Sequence, residues 1–193
     1  ICYLYGVIIG NGNIINNNII LHLNSKHTKY KYLKELLITY LDELKDHIYK
    51  YDINELYYVT TITIRIKDSF PIKKEDIYIN KIIRNNKKVI SEKYMKLSNN
   101  KLLQILKGLI INKEVYYNND IVEICNFNNI INEQIRYILL KNQTLSYIQL
   151  FNNNIKLYFK LNTIINNVLE LKEYINNEDI NYFIHNNNIY KSI

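Results

Sequence analysis

The side chains best placed to do chemistry in this 193-residue chain are cations. Between Lys67 and Lys107 lie eleven basic residues, among them Lys67, Lys73, Lys74, Arg84, Lys87 and Lys93, against only four acids. That segment carries a net charge of +7, and the rest of the chain sums to zero. A field concentrated this way attracts a polyanion, because lysine and arginine neutralise phosphates and release their counterions. DNA and RNA are therefore the leading candidate partners. A solvated, lysine-rich connector would have the same composition. Other chemistries find less support. His22, His27, His47 and His185 form no ligand pair at i, i+4, and Cys2 and Cys125 have no metal-type spacing. A nucleophile triad has no supporting motif. Gly10-Asn11-Gly12 alone is too short to argue for nucleotide binding. Asp42, Glu43 and Asp46 fit the wet face of a helix, and Cys125, in an apolar run, reads as a small core residue.

The elements that must position these cations follow from hydrophobic period. A hydrophobic fraction of 48% is ample for the core of one domain, and tyrosine (19 residues, with no tryptophan) supplies most of the aromatic surface. Abundant Asn, Ile, Lys and Tyr match AT-rich codon usage. Runs such as Asn16-Asn17-Asn18, Asn152-Asn153-Asn154 and Asn186-Asn187-Asn188 read as loop tips, since asparagine tolerates left-handed turn geometry. No secretory signal and no apolar run of about 20 residues is present, so the reading is an intracellular, non-secreted protein with no membrane partner.

Leu4-Tyr5-Gly6-Val7-Ile8-Ile9-Gly10-Asn11-Gly12 and Leu106-Lys107-Gly108-Leu109-Ile110-Ile111-Asn112-Lys113-Glu114 look like worn copies of one another. Each is an apolar helical run with one glycine near its start, followed by strand-like sequence, and such a repeat predicts two half-domains sharing an interface. In the first half the pattern predicts a helix over 1–9, strands at 13–15 and 19–23, and a long helix capped by Ser25 or Thr28. That helix carries Tyr30, Leu33, Leu36, Leu37, Tyr40, Leu41, Leu44 and Ile48 at helical spacing. A strand or hairpin arm follows over 57–66. The basic segment 67–98 is less regular. The second half repeats the order: a helix over 99–111, a hairpin at 115–117 and 121–125, a helix over 129–141, strands at 145–151 and 155–161, a helix over 164–175, and short extended pieces to 193. The expected fold class is α+β, two pseudo-symmetric αββαββα halves, the first repeat with its basic connector over 1–98 and the second over 99–193.

This order, with a glycine-bearing apolar helix opening each half, resembles the LAGLIDADG (dodecapeptide) homing endonucleases, most closely the two-copy domains found in inteins. Lys88-Val89-Ile90 fits the Lys-x-Ile-Pro stretch that intein endonucleases carry between the repeats, with Ser91 in place of the proline. Gln134-Ile135-Arg136-Tyr137-Ile138-Leu139-Leu140 resembles the helix after the second hairpin. The resemblance implies that the two signature helices pack through Gly6 and Gly108, and that a saddle of strands sits in the DNA major groove. It implies metal-dependent hydrolysis of both DNA strands, with Mg²⁺ as cofactor in active relatives, held by one carboxylate at the foot of each signature helix. Here those positions are Asn11 and Lys113, which changes a pair of formal charge −2 into one of +1. A degenerate, metal-free site is therefore expected. Glu114 is adjacent, but a one-residue shift turns a helical side chain by ~100°. Lys88 matches the family's active-site lysine, so the catalytic positions are Asn11, Lys113 and Lys88, with Lys67, Lys73, Lys74, Arg84, Lys87 and Lys93 as DNA contacts. The expected state is a monomer, with a flanking intein splicing domain and host protein as further partners. A non-catalytic, maturase-like or ribonucleoprotein-type binder on the same scaffold is the alternative.

Overall fold

The structure, a computed structural model, describes residues 1–26, 30–78, 87–111, 113, 115–118, 120–125, 127–151, 154–169, 182–185 and 188–191. Two helices, one almost wholly apolar and one amphipathic, form its centre. Helix α1 (Cys2–Asn11) is buried from Tyr3 to Ile9, on every face. A helix with no polar face is stable only when other elements surround it. Helix α4 (Asn99–Ile110) buries Leu102, Leu103, Ile105, Leu106, Leu109 and Ile110 and keeps Lys101 exposed.

These two helices cross through their glycines. A Cβ on Gly6 would overlap the Ile105 carbonyl oxygen and come to 2.9 Å from Leu109 N. Reciprocally, a Cβ on Gly108 would overlap the Tyr3 carbonyl oxygen and come to 2.8 Å from Val7 N. The two backbones approach to a distance at which no other residue fits, which explains both glycines in a chain with four.

Each helix feeds a four-stranded antiparallel sheet. In the first lobe these strands are β1 (Gly12–Ile15), β2 (Asn18–Asn24), β3 (Ile48–Leu56) and β4 (Val59–Ile66), in the order β1-β2-β4-β3. In the second they are β5 (Val115–Asn118), β6 (Ile121–Cys125), β7 (Ser146–Phe151) and β8 (Asn154–Lys160), in the matching order β5-β6-β8-β7. Helix α2 (Tyr30–Glu43) joins the first pair of hairpins and α5 (Asn129–Lys141) the second. The short α3 (Glu92–Met95) lies in the basic connector, α6 (Thr163–Leu169) follows β8, and β9 (Tyr182–His185) pairs with β10 (Asn188–Lys191). One hydrophobic core runs through both lobes, from Ile19, Leu37 and Ile64 through α1 and α4 to Ile124, Ile135 and Phe159. The α+β class and the doubled sheet order are those expected from the sequence.

Local chemistry accounts for the turns and caps. Asn16 and Asn17 take φ of 46° and 59° at the β1–β2 turn, the left-handed region that asparagine tolerates. Asn128 caps α5, its Oδ1 accepting from Ile131 N at 3.0 Å, and Asn162 caps α6 through Ile165 N at 2.8 Å.

One expectation is corrected. The long helix stops at Glu43, a 3₁₀ turn spans Lys45–His47, and Ile48 opens β3. Spacing alone fitted Leu44 and Ile48 to the helix, but the alternation of Tyr49, Tyr51 and Ile53 with polar residues is a strand's, and β4 is there to pair with it. Cys125 is buried, as expected of a core residue, yet its register with Lys156 and Gln149 puts it on the sheet face turned away from the main core. Within the expected 164–175 helix, the described part is Thr163–Leu169. Thr28, Arg84 and Glu114 lie outside the described residues.

Candidate functional site at the end of the paired helices

Because α1 and α4 are matched at Gly6 and Gly108, the residues five positions further on, Asn11 and Lys113, leave the pair at the same end. Asn11 is the last residue of α1. Lys113 follows the close of α4, its N–H donating to Ile110 O at 2.9 Å. The third expected residue, Lys88, arrives from the connector: its Nζ donates to the carbonyl oxygen of Gly12 and, at 3.5 Å, to that of Ile8. An ammonium at the carboxyl end of α1 meets the negative pole of that helix, so it is favourably placed. The structure thus brings together Asn11, Lys88 and Lys113, which the sequence keeps up to about a hundred residues apart.

Both lobes hold Lys88 in place. Its backbone bridges to Tyr78, Val89 N donates to Ile77 O at 2.8 Å, and its carbonyl accepts from Asn128 Nδ2 at 3.1 Å. Gln134 on α5 grips the next residue but one, accepting from Ile90 N at 2.9 Å and donating to Ile90 O at 2.6 Å. On the α1 side, Tyr5 Oη accepts from Ser91 N at 2.9 Å and donates to Asp76 O at 2.5 Å, while its ring stacks on Tyr94 with centroids 3.6 Å apart. Burial, only partly offset by the bond from Ser91, pushes the Tyr5 phenol up to about 12, so it stays a donor across the physiological range. The sequence reading placed Gln134 in a family-like helix but gave it no role. Gln134→Ala leaves the Ile90 N–H and C=O without their partner, and a loss of ~1–3 kcal/mol is expected in urea unfolding. Loss of protection at the Ile90 amide in hydrogen exchange would identify the cause.

The electrostatics of the site are those of crowded cations. Burial first, and the neighbouring Lys113 charge second, bring the Lys88 ammonium down to about 8. Burial also lowers Lys113, whose Nζ lies 5.2 Å from the centroid of the Phe127 ring. No carboxylate among the described residues pairs with either ammonium, and Asn11 Nδ2 is buried without a hydrogen-bond partner. A lysine whose folded pKa is depressed binds fewer protons folded than unfolded, so its burial costs most below pH 8 and that cost fades as pH rises from about 8 to about 10.5. Lys88→Met is accordingly expected to gain on the natural chain in stability at pH 7 relative to pH 10. Denaturation of both proteins across that range measures the difference, and a difference independent of pH would rule the depression out.

Beside the site, the first sheet turns one face away from the core. The strand registers align Asn18, Arg65 and Lys50, then Asn13, Ile20, Thr63 and Asp52, then His22, Thr61 and Asn54 across it. This surface is polar, partly exposed and cationic at its edge, where Arg65 and Lys67 both lie within 6 Å of the Tyr49 ring centroid (5.6 and 5.7 Å). Tyr78 Oη donates to Asn13 Oδ1 at 3.1 Å and so ties the connector to it. The signal was in the sequence: Thr61, Thr63 and Arg65 alternate with Ile62, Ile64 and Ile66. The corresponding face of the second sheet is more covered, with Tyr147 and Lys160 exposed on it. Ile121, Glu123, Cys125 and Tyr158 are buried there, Glu123 pairs with Lys156 at 2.7 Å, and β10 lies alongside β7.

The basic residues expected to contact DNA are distributed along the connector. Lys67 donates to Asp46 O at 3.1 Å, Lys73 donates to Asp68 O, Lys74 and Lys87 are exposed or nearly so, and Lys93 pairs with Asp76 at 3.5 Å. No described helix is long and apolar enough to cross a membrane.

Known structures share this arrangement. Full-length WhiA from Thermatoga maritima superimposes with a TM-score of 0.58 at 18% identity, over 90% of this chain and 55% of that one. The N-terminal LAGLIDADG domain of WhiA gives 0.53 at 20% identity, over 90% and 82%. The homing endonuclease I-DmoI, in complex with DNA and Mn, gives 0.55 at 15% identity, over 90% and 94%. No family model and no curated protein matches the sequence. The fold of this chain is the two-lobed LAGLIDADG fold.

Proposed function

We propose that this protein binds double-stranded DNA with the open face of its first sheet and the adjoining connector, and that it does not cleave DNA by the metal-dependent route. The observation that carries the reading is the cationic cluster Lys88–Lys113 beside Asn11, set at the edge of a polar, strand-built surface on a LAGLIDADG fold. A two-stranded ribbon or sheet fits the major groove, where Asn13, Asn18, His22, Asn54, Thr61 and Thr63 present donors and acceptors to base edges. Arg65, Lys67, Lys73, Lys74, Arg84 and Lys87 supply phosphate contacts, whereas Lys93 is engaged by Asp76. The greater cover on the corresponding face of the second sheet makes the binding asymmetric, with the first lobe dominant. The intein origin rests on the Lys88-Val89-Ile90 stretch and is tested by the sequence flanking the chain.

The I-DmoI complexes were solved with Mn, Ca or Mg. The residues here do not fit such an ion. A hard divalent cation takes anionic oxygen ligands. Asn11 is neutral, Lys113 is a cation, and the Gly12 carbonyl is occupied by Lys88. Among the described residues no group of three His, Cys, Asp or Glu side chains could hold a metal. Asn11, Lys88 and Lys113 are thus catalytic in ancestry and binding residues in the present chain.

Fluorescence anisotropy of a labelled random-sequence duplex and of a structured RNA hairpin, over a series of salt concentrations, tests the reading. Duplex DNA is expected to bind with a steep salt dependence, and Lys67→Ala combined with Arg65→Ala to weaken it about tenfold while reducing the salt slope by about 1–2. Tighter binding to the RNA would support the ribonucleoprotein alternative instead. Cleavage of duplex by the natural chain in Mg²⁺ would refute the loss of activity.

A further inference from the structure

We infer that the cluster of Lys88, Lys113 and Asn11 is an anion site that receives a single phosphodiester group of the DNA backbone. The inference rests on the DNA-binding reading and extends it, from a site that has lost an ion to one that grips the group the ion would have neutralised.

Three observations converge. Lys88 Nζ is not a free-swinging surface ammonium: it donates to two carbonyls of the α1 end, and Asn128 and Gln134 fix the backbone of Lys88 and Ile90 behind it, so little conformational freedom remains to be lost on binding. Lys113 is half-buried, faces the Phe127 ring, and has no described carboxylate partner. Asn11 contributes a buried amide donor with nothing to donate to. Burying two ammoniums near one another without an anion is costly, and each unpaired donor adds to that cost. An anion placed between them removes the repulsion, satisfies donors and offsets the desolvation already incurred. The end of a helix pair that presents carbonyls would by itself repel a phosphate. The two ammoniums, Lys88 held and Lys113 half-buried, reverse that preference at this one place.

Phosphate fits better than carboxylate because its tetrahedral oxygens can accept from several directions at once. The group is bound and no bond is broken. Ammoniums polarise a phosphodiester but do not generate the hydroxide that a bound metal would supply.

The test uses the full chain with isotope-labelled lysine. Titration with inorganic phosphate is expected to shift the Lys88 and Lys113 ε-methylene signals together along one saturating curve, and to raise the pH midpoint of Lys88 by at least one unit. Lys113→Met should abolish the Lys88 response. Weak, non-saturating shifts spread over all lysines would overturn the inference. A second arm separates free phosphate from the DNA backbone: a duplex carrying one neutral methylphosphonate, scanned through its central steps. One or two positions are expected to lower the affinity of the natural chain about tenfold and to leave the Lys113→Met variant unaffected. Normal duplex binding with no sensitive position would sink the anion site and spare the DNA reading. Saturable phosphate binding without duplex binding would overturn the DNA reading and with it the phosphodiester assignment.

Discussion

Gly108→Ala is expected to unfold most of the protein's margin of stability, by about 3–5 kcal/mol in chemical denaturation. Alanine is the better helix former by about 1 kcal/mol, so propensity alone predicts the opposite sign. Packing decides. The new methyl would overlap the Tyr3 carbonyl oxygen and sit 2.8 Å from Val7 N, and both are backbone atoms inside α1 that cannot rotate away. The helices must separate, and the contacts that Leu4, Val7, Ile105 and Leu109 make across the pair loosen with them. Gly6→Ala should behave alike, because its methyl meets Ile105 O and Leu109 N in the mirror relation. The double variant should cost less than the two singles added, since one separation relieves both clashes. Lys101→Ala, on the exposed side of α4, serves as the control and should stay within about 0.5 kcal/mol. A Gly108→Ala midpoint matching the natural chain would mean that the helices do not touch as described.

The second large effect concerns charge. Replacing Asn11→Asp and Lys113→Asp together turns a +1 pair into a −2 pair at the end of α1 and α4. The natural chain is expected to show no saturable response to Mn²⁺, while the double variant binds it and is stabilised by it. Ligand linkage gives about 2.7 kcal/mol when the ion is present at about a hundred times its dissociation constant. The melting temperature should therefore climb with Mn²⁺ concentration in the variant alone. Without metal the variant should melt lower than it does with metal, because two carboxylates near one another resist joint ionisation. Lys88 reports on the same change. With the Lys113 charge gone, its ammonium loses one of the two causes that hold it near 8 and should titrate higher. Duplex cleavage appearing in the variant would show that geometry has outlasted chemistry. A variant indifferent to Mn²⁺ would show that Asn11 and Lys113 do not face a common point.

Much of this architecture is written in local patterns. The two glycine-bearing apolar runs, the Thr–Ile alternation of β4 and the asparagine turns each depend on residues close together in the chain, where hydrophobic period and turn chemistry act directly. Where two periods fit the same residues, as at Leu44 and Ile48, the pattern could not choose, and pairing with β4 chose for it. The equivalence of Asn11 and Lys113 was legible too, because the repeat supplies its own alignment. The sequence by itself therefore determined the doubled fold and the central pair of helices. Only the tertiary structure decided that Lys88 joins Asn11 and Lys113, that Gln134 and Asn128 from the other lobe hold it, and that one sheet face is more open than its counterpart. Those facts depend on contacts between segments tens of residues apart, and hydrophobic patterning says that a side chain is buried without saying against what.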